Sequence, residues 1–397
     1  MRIATVTFHQ DALNQMQTLQ SDLSKTQNDL STGKKLHSAA DDPAGMAQVN
    51  QLNVQLSASQ QYVTNGNYAT SVLQLSEQAM ADSTNALQSA RDLAVEANNP
   101  ALSVAQRQDI AAQLTQVLQG LVAIGNRVDG SGNQLFSGTA SGTVPFTQNG
   151  NTIVYNGAST VSQIQIAPNQ RISAGDTGAN VFMNIPAGNG TFTTSGALTN
   201  TGTGSIGVGT VTNLAAWVPD TYTISFAATP PGSYTVTNSA GATVTTGTFV
   251  DGDSISFNGI QVPITGTPAA GDTFTVAKAG TASAFSTLQS LITTLSSTTL
   301  SNAQISSQIG GALQQIDNAV TNMSNVSASV GGRLNSITSS QGSAQTLQTN
   351  LTTQVSQLSD VDYAAAITQL NTEELGLKAA QQTYASISQL SLFNYLK

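Results

Sequence analysis

The residues able to do chemistry are few and scattered along the chain. There are two histidines, His9 and His37, and no cysteine. Thiolate nucleophiles and thiolate metal sites are therefore excluded, and neither histidine has a second ligand at metal spacing. A histidine in that setting is far more often a surface or interface polar group than a ligand. Asp251 and Asp253 flank Gly252 in the manner of a calcium loop. The acidic residue that closes an EF-hand loop is missing, however, and a hairpin turn accounts better for the step. Gly130, Gly132 and Gly138 have the density of a phosphate loop, but no lysine follows and no strand precedes, so they read as the turn out of a helix. No acid–base pair or metal set converges. The chain reads as a non-enzyme without metal or cofactor.

Composition narrows the class further. Of 397 residues only 8% are charged, and the net charge is −9, against an ordinary charged share of about 25%. Glutamine, serine, threonine and asparagine fill the polar positions, as expected of faces that pack on neighbours, where an unpaired charge would cost several kcal/mol. The largest basic cluster is Lys34–Lys35, which is no phosphate-binding footprint, so nucleic acid is not an expected partner. No window of about 18 apolar residues exists, so no membrane insertion is expected. The opening MRIATVTFHQDALNQM has one arginine and no apolar core of secretory length. Export, if it occurs, is then expected by a route other than the general secretory one. The lack of cysteine fits an extracytoplasmic protein but says little alone.

The elements that position these residues are long helices. Ile110, Leu114, Val117, Leu121, Ile124 and Val128 step alternately by four and three, the spacing of a narrow seam on one helix face. Ile309, Leu313, Ile316, Val320, Met323, Val330, Leu334, Ile337, Ala344, Leu351, Val355 and Leu358 continue the pattern near the other end. A helix over 300–358 would be about 90 Å long at about 1.5 Å per residue. Residues 1–9 alternate and read as extended. A helix follows from about 11 to Gly33, a suitable C-cap, with Lys34 and Lys35 at its negative end. LHSAADDPAG at 36–45 is a break in which Asp41 and Asp42 can cap the next helix and Pro43 suits its first turn. Further helices are expected at about 43–98, 103–129, 281–296, 300–358 and 361–391. Gly310-Gly311 and Gly331-Gly332 are weak points that mark bends or close backbone approach.

Residues 139–281 differ in kind, holding eight of the ten prolines and seven charged residues. Short alternating runs at 151–155, 162–166, 221–226, 233–236, 242–250, 254–257, 261–264 and 273–276 are separated by Asn-Gly, Pro-Gly and Gly-Asp steps, as hairpins require. The expected fold is mainly α with a β insertion: a long antiparallel α-helical coiled-coil bundle formed by both chain ends, a central β hairpin region at about 139–182 and a small β domain at 183–281. The seams over 43–129 and 281–358 fit an intramolecular bundle. The outer seams, Leu13 to Leu30 and Tyr363, Leu370, Leu377, Tyr384, Ile387, are narrow and almost uncharged. Helices with so little to bury do not offset ordering costs of about 1–2 kcal/mol per residue alone, so both are expected to fold on assembly.

Several motifs carry a family resemblance. LSTGKKLHSAADDPAG at 30–45 and VSASVGGRLNSI at 326–337 resemble the paired signatures of flagellin-like axial proteins of the bacterial flagellum. NRVDGSGNQLFSGT at 126–139, NGNTIVYNG, QIQIAPNQRISAGDTGANVF at 163–182 and the terminal SLFNYLK resemble, within them, the hook-associated protein 3 family of hook–filament junction proteins. DTYTISF and FNGIQVPITGTPAAGDTFTV look like a β module that recurs in hook-associated proteins.

The resemblance implies a structural adaptor between the hook side and the filament, extracellular and exported unfolded through the flagellar type III apparatus. Its implied partners are the first hook-associated protein, flagellin, copies of itself in a ring, and a cytoplasmic export chaperone on the C-terminal helix. It implies three divisions: 1–40 with 360–397 as an inner terminal helical domain, 41–182 with 282–359 as a long-helix rod with the hairpin region, and 183–281 as an outer β domain. Subunit packing then falls to Leu13, Met16, Leu23, Leu30, Leu370, Leu377, Tyr384 and Ile387, and the interdomain break to Asp41, Asp42, Pro43 and Gly45. Two other readings stand beside it: a flagellin filament subunit, and a secreted adhesin or glycan-binding module whose Trp217, Tyr222 and Tyr234 stack on sugars.

Overall fold

The helical ends and the strand-rich middle are both present in the computed structural model, which describes residues 2–228 and 232–393. Residues 229–231, within the Pro-Gly step, and 394–397, the end of the SLFNYLK motif, lie outside the described residues. Among those described, six α-helices run in chain order: α1 (Arg2–Thr32), α2 (Pro43–Ala97), α3 (Val104–Gly125), α4 (Ala284–Ser296), α5 (Asn302–Ser359) and α6 (Tyr363–Phe393). The protein is mainly α with a β insertion between α3 and α4. The chain divides into two compact units, Met1–Thr64 with Ser340–Lys397 and Asn65–Ser339, and the division falls inside α2 and α5.

In the larger unit the seam of α2 is buried as Ala69, Leu73, Met80, Leu87, Ala90 and Ala94. It packs in one core with Ile110, Leu114, Leu118 and Leu121 of α3, Leu288, Leu291 and Leu295 of α4, and Ile309, Ile316, Met323 and Val330 of α5. Serine fills two core positions of α2 without leaving an orphan donor, because Ser76 and Ser83 donate to the carbonyls of Val72 and Ala79 four residues back, at 3.0 and 2.8 Å. Arg91–Asp317 and Arg127–Asp82, each at 2.8 Å, tie helix flanks together. Helix α3 ends earlier than its periodicity predicts, at Gly125 rather than near 129. The cause is aromatic. A Cβ on Gly125 would lie 2.7 Å from the Phe146 ring, and Asn126 brackets Phe146 with hydrogen bonds to its backbone N–H and carbonyl, at 2.8 and 2.7 Å. Phe146 joins Phe136, Phe182, Phe285 and Tyr155 in a ring cluster with centroids 4.8–5.5 Å apart, where the hairpins meet α4.

Two hairpins follow α3. Phe146–Asn149 pairs Thr152–Tyr155, and Gln163–Ala167 pairs Gln170–Ser173. The guanidinium of Arg333 on α5 holds the loop after the second hairpin, pairing with Asp176 and donating to the Gly175 carbonyl at 2.9 Å. Beyond a π-helical turn at Ala179–Met183, Ile185–Pro186 pairs with Thr281–Ala282, so the chain enters and leaves the next β module side by side. That module has a five-stranded antiparallel sheet in the order Thr243–Thr248, Ser233–Thr237, Tyr222–Phe226, Thr273–Lys278, Phe192–Gly196. A four-stranded sheet is centred on Ile260–Thr265. Their inward residues, among them Phe192, Tyr222, Ile224, Val236, Val262 and Phe274, form a second core.

Two expectations are corrected. Residues 2–9 are the first turns of α1, not an extended segment. Apolar residues at 3 and 6 also fit a helix face, and adding turns to an existing helix avoids the costly nucleation step. The glycine pairs of α5 mark no close backbone approach: a Cβ at Gly310, Gly311, Gly331 or Gly332 would meet nothing within 4 Å, and the helix runs unbroken across them.

Candidate functional site

The candidate site is built from the terminal helices and the break that joins them to α2 and α5, all within the smaller unit. Gly33 ends α1 with φ of +72°, a left-handed conformation that favours glycine, and a Cβ there would lie 2.9 Å from the Tyr363 hydroxyl. The chain then runs antiparallel to the link between α5 and α6. The Lys35 N–H donates to the Ser359 carbonyl at 2.7 Å and the Val361 N–H to the Gly33 carbonyl at 3.0 Å. Asp42 caps α2, its Oδ1 accepting from the N–H groups of Ala44 and Gly45 at 3.0 Å each, and Pro43 occupies the first helical position. A Cβ on Gly45 would lie 2.5 Å from the Asp42 carboxylate, so glycine there makes room for the cap. Asp362 caps α6 in the same way, through Ala364 and Ala365 at 3.0 and 3.2 Å.

Charges are sparse in this chain, yet several gather here. Asp41 accepts from the backbone N–H groups of Ser38 and His37, which hold its carboxyl below the ordinary carboxylate range, aided by the Ser38 hydroxyl and Lys25. The hydroxyls of Ser356 and Ser359, with Lys34 and Lys35 adding, do the same for Asp360. His37 meets Asp29 at 2.9 Å and Lys25 meets Asp41 at 3.5 Å. A groove of about 700 Å³ is lined by Asp22, Lys25, Asp29, Lys35, Asp362 and Glu373 among others. Among the described residues no group of three or more His, Cys, Asp or Glu is arranged to hold a metal ion, and no helix is long and apolar enough to cross a membrane.

Helices α1 and α6 pack against each other. The rings of His9 and Tyr384 meet edge to face at 5.4 Å, and a Cβ on Gly376 would lie 3.9 Å from Leu19 Cδ2, so the pair is antiparallel. Met16, Leu23, Leu30, Leu370, Leu377, Tyr384 and Ile387 are half-buried, and Leu13 is 45% exposed. Within the chain the pair fully buries only small side chains among those described, Thr26 and Ala366. Val6, Ile367 and Leu375 stand out at 64%, 50% and 73% exposure. The heptad reading passed over these three because they lie off the seam. Their signal was their type, an apolar side chain on a face that the seam leaves outward. The aromatic trio of the β module is placed differently. Tyr222 is buried, and Trp217 packs on Phe192 and Tyr222 at 5.6 and 5.7 Å, which makes these rings part of the module's core.

The flanks and the insertion match separate family models. Residues 3–141 match the bacterial flagellin N-terminal helical region, and residues 313–396 the bacterial flagellin C-terminal helical region. Residues 196–278 match the D2-like domain of flagellar hook-associated protein 1. The solved structure of flagellar hook-associated protein 3 from Legionella pneumophila is 31% identical, with a TM-score of 0.75 over 78% of this chain and 98% of that one. This chain belongs to the flagellar hook-associated protein 3 family. The Salmonella typhimurium member, flagellar hook-associated protein 3, is 29% identical over 185 residues, 47% of this chain. That alignment spans 58% of the relative's length. Polar flagellin A of Vibrio parahaemolyticus is 38% identical over 115 residues, which is 29% of this chain and 31% of the flagellin. The family likeness thus covers 78% of this chain, whereas the flagellin likeness covers 29%.

Proposed function

We propose that this protein is a structural subunit of the bacterial flagellum that joins the hook-side first hook-associated protein to the flagellin filament. Copies assemble as a ring through α1 and α6. The observation that carries the reading is the likeness to nearly the whole length of a hook-associated protein 3, against a flagellin likeness confined to about a third of the flagellin. The terminal helices support it in physical terms. A narrow pair that leaves Leu13, Ile367 and Leu375 in solvent gains from neighbours what it cannot bury alone, at about 25 cal/mol per Å² of apolar surface.

On this reading Leu13, Met16, Leu23, Leu30, Leu370, Leu377, Tyr384 and Ile387 carry subunit packing. Asp41, Asp42, Pro43 and Gly45 form the break between an inner terminal domain (1–40, 360–397) and a rod (41–182, 282–359), with 183–281 as the outer β domain. The protein is exported unfolded by the flagellar type III apparatus, with a cytoplasmic chaperone holding the C-terminal helix, and acts outside the cell.

Immunogold labelling of flagella from cells carrying a tagged copy tests the location. Label at a single point between hook and filament is expected. The 38% identity over 115 residues favours a second reading, a filament subunit, and label along the whole filament would establish it in place of the first.

A further inference from the structure

Arg107, in the first turns of α3, is a charged side chain in a chain that has few, and it is only 6% exposed. Among the described residues its guanidinium forms no ion pair with a carboxylate. Of its five N–H donors, only those on Nη1 find acceptors, both neutral: the Leu102 carbonyl at 3.1 Å and Asn302 Oδ1 at 3.5 Å. Nε is sealed from solvent and has no acceptor. Ser103 and Gln106 satisfy the first turn of α3, with the Ser103 N–H donating to Gln106 Oε1 at 2.9 Å. Ser301 and Gln304 do the same for α5 at 2.8 Å. The ends of α2 and α4 lie at the same turns, Gln108 Nε2 reaching the Ser296 carbonyl at 3.4 Å. Helix termini of both signs therefore meet here and offset one another, leaving the full charge of the guanidinium.

We propose that Arg107, with the starts of α3 and α5, forms a binding site for an oxyanion of the carboxylate or phosphate class. A guanidinium fork matches such a group through two parallel N–H donors. Asn302 makes the longest of the Arg107 contacts and is itself exposed, so a solute that displaces its side chain reaches Nη1 from that side. Its amide also donates to the Pro100 carbonyl at 3.3 Å, so an anion seated there bridges the α2–α3 and α4–α5 turns. The same corner touches the β module through Gln304 Nε2, which donates to the carbonyls of Leu198 and Asn200 at 2.9 and 2.8 Å.

The test is thermal unfolding of the full chain, followed by helix circular dichroism, in sodium phosphate, sodium acetate and sodium chloride at matched ionic strength and pH 7. The wild type is expected to melt about 2–4 °C higher in each oxyanion than in chloride near ten times the dissociation constant. Asn302→Asp places a carboxylate beside Nη1. This variant is expected to melt above the wild type in chloride and to lose the oxyanion increment, as Arg107→Gln also should. Phosphate strengthens burial in any protein, so the difference between variants is what counts. Equal increments in wild type and Asn302→Asp, or no increment over chloride in the wild type, would overturn the site, and Asn302→Asp keeps the test valid if Arg107→Gln fails to fold.

Discussion

Asp42 shows how much a single carboxylate can settle at the break. It satisfies the first free N–H groups of a 55-residue helix, and Asp42→Ala is expected to cost about 1 kcal/mol, read by urea unfolding of the full chain. Asp41 and Asp360 act through pH. Both carboxyls lie below the usual carboxylate value in the folded chain. Their stabilisation is therefore complete above the unfolded pKa of about 3.9 and is lost as pH falls through the lower folded value. Melting of the wild type should be flat above about pH 5 and fall below about pH 4. Asp41→Asn and Asp360→Asn should each make that fall shallower, and an unchanged acid limb in both would remove them from the account. The roles of Gly33, Asp42 and Pro43 were legible in the sequence because caps and turns are local. That of Asp360 was not, since its backbone lies against Lys34 and Lys35 from the far end of the chain.

At the scale of elements, the helices with long seams were legible to within two residues, whereas α1 starts well before its expected residue 11 and α3 ends before its expected residue 129. α2, α5 and α6 lie within two residues of the bounds that periodicity and caps suggest. The strands were legible where apolar residues alternate, as in Tyr222–Phe226 and Ile260–Thr265. Phe146–Asn149, Gln170–Ser173 and Phe192–Gly196 escaped because each shows one large apolar residue, Phe146, Ile172 or Phe192, among polar ones. Their pairing comes from a partner strand, and sequence alternation carries no record of it. Helix α5 supplies two substitutions of opposite sign with its neighbour α2. Gly332→Ala adds a Cβ that meets nothing within 4 Å, and it should stabilise by about 0.5–1 kcal/mol. Leu87→Ala removes a fully buried seam residue of α2, and it should cost about 2–5 kcal/mol. Urea unfolding followed at 222 nm reads both. A destabilising Gly332→Ala would show that the glycine is needed for a contact made outside the single chain.

For the whole molecule, the division of labour follows from where apolar surface is spent. The larger unit closes two cores of its own, one among helices and hairpins and one inside the β module. The terminal pair buries little and keeps Leu13, Ile367 and Leu375 in solvent. Membership of the flagellar family was readable from motif resemblance at both chain ends. The exposure of Ile367 and Leu375 was not legible, because an apolar residue off the seam looks the same in sequence whether it is covered or not. The direct test is Leu377→Glu in a strain lacking the native gene, scored for flagellar filaments by electron microscopy alongside thermal unfolding of the purified variant. The account predicts loss of filaments with the main melting transition of the larger unit unchanged. Normal filaments on cells carrying Leu377→Glu would contradict it.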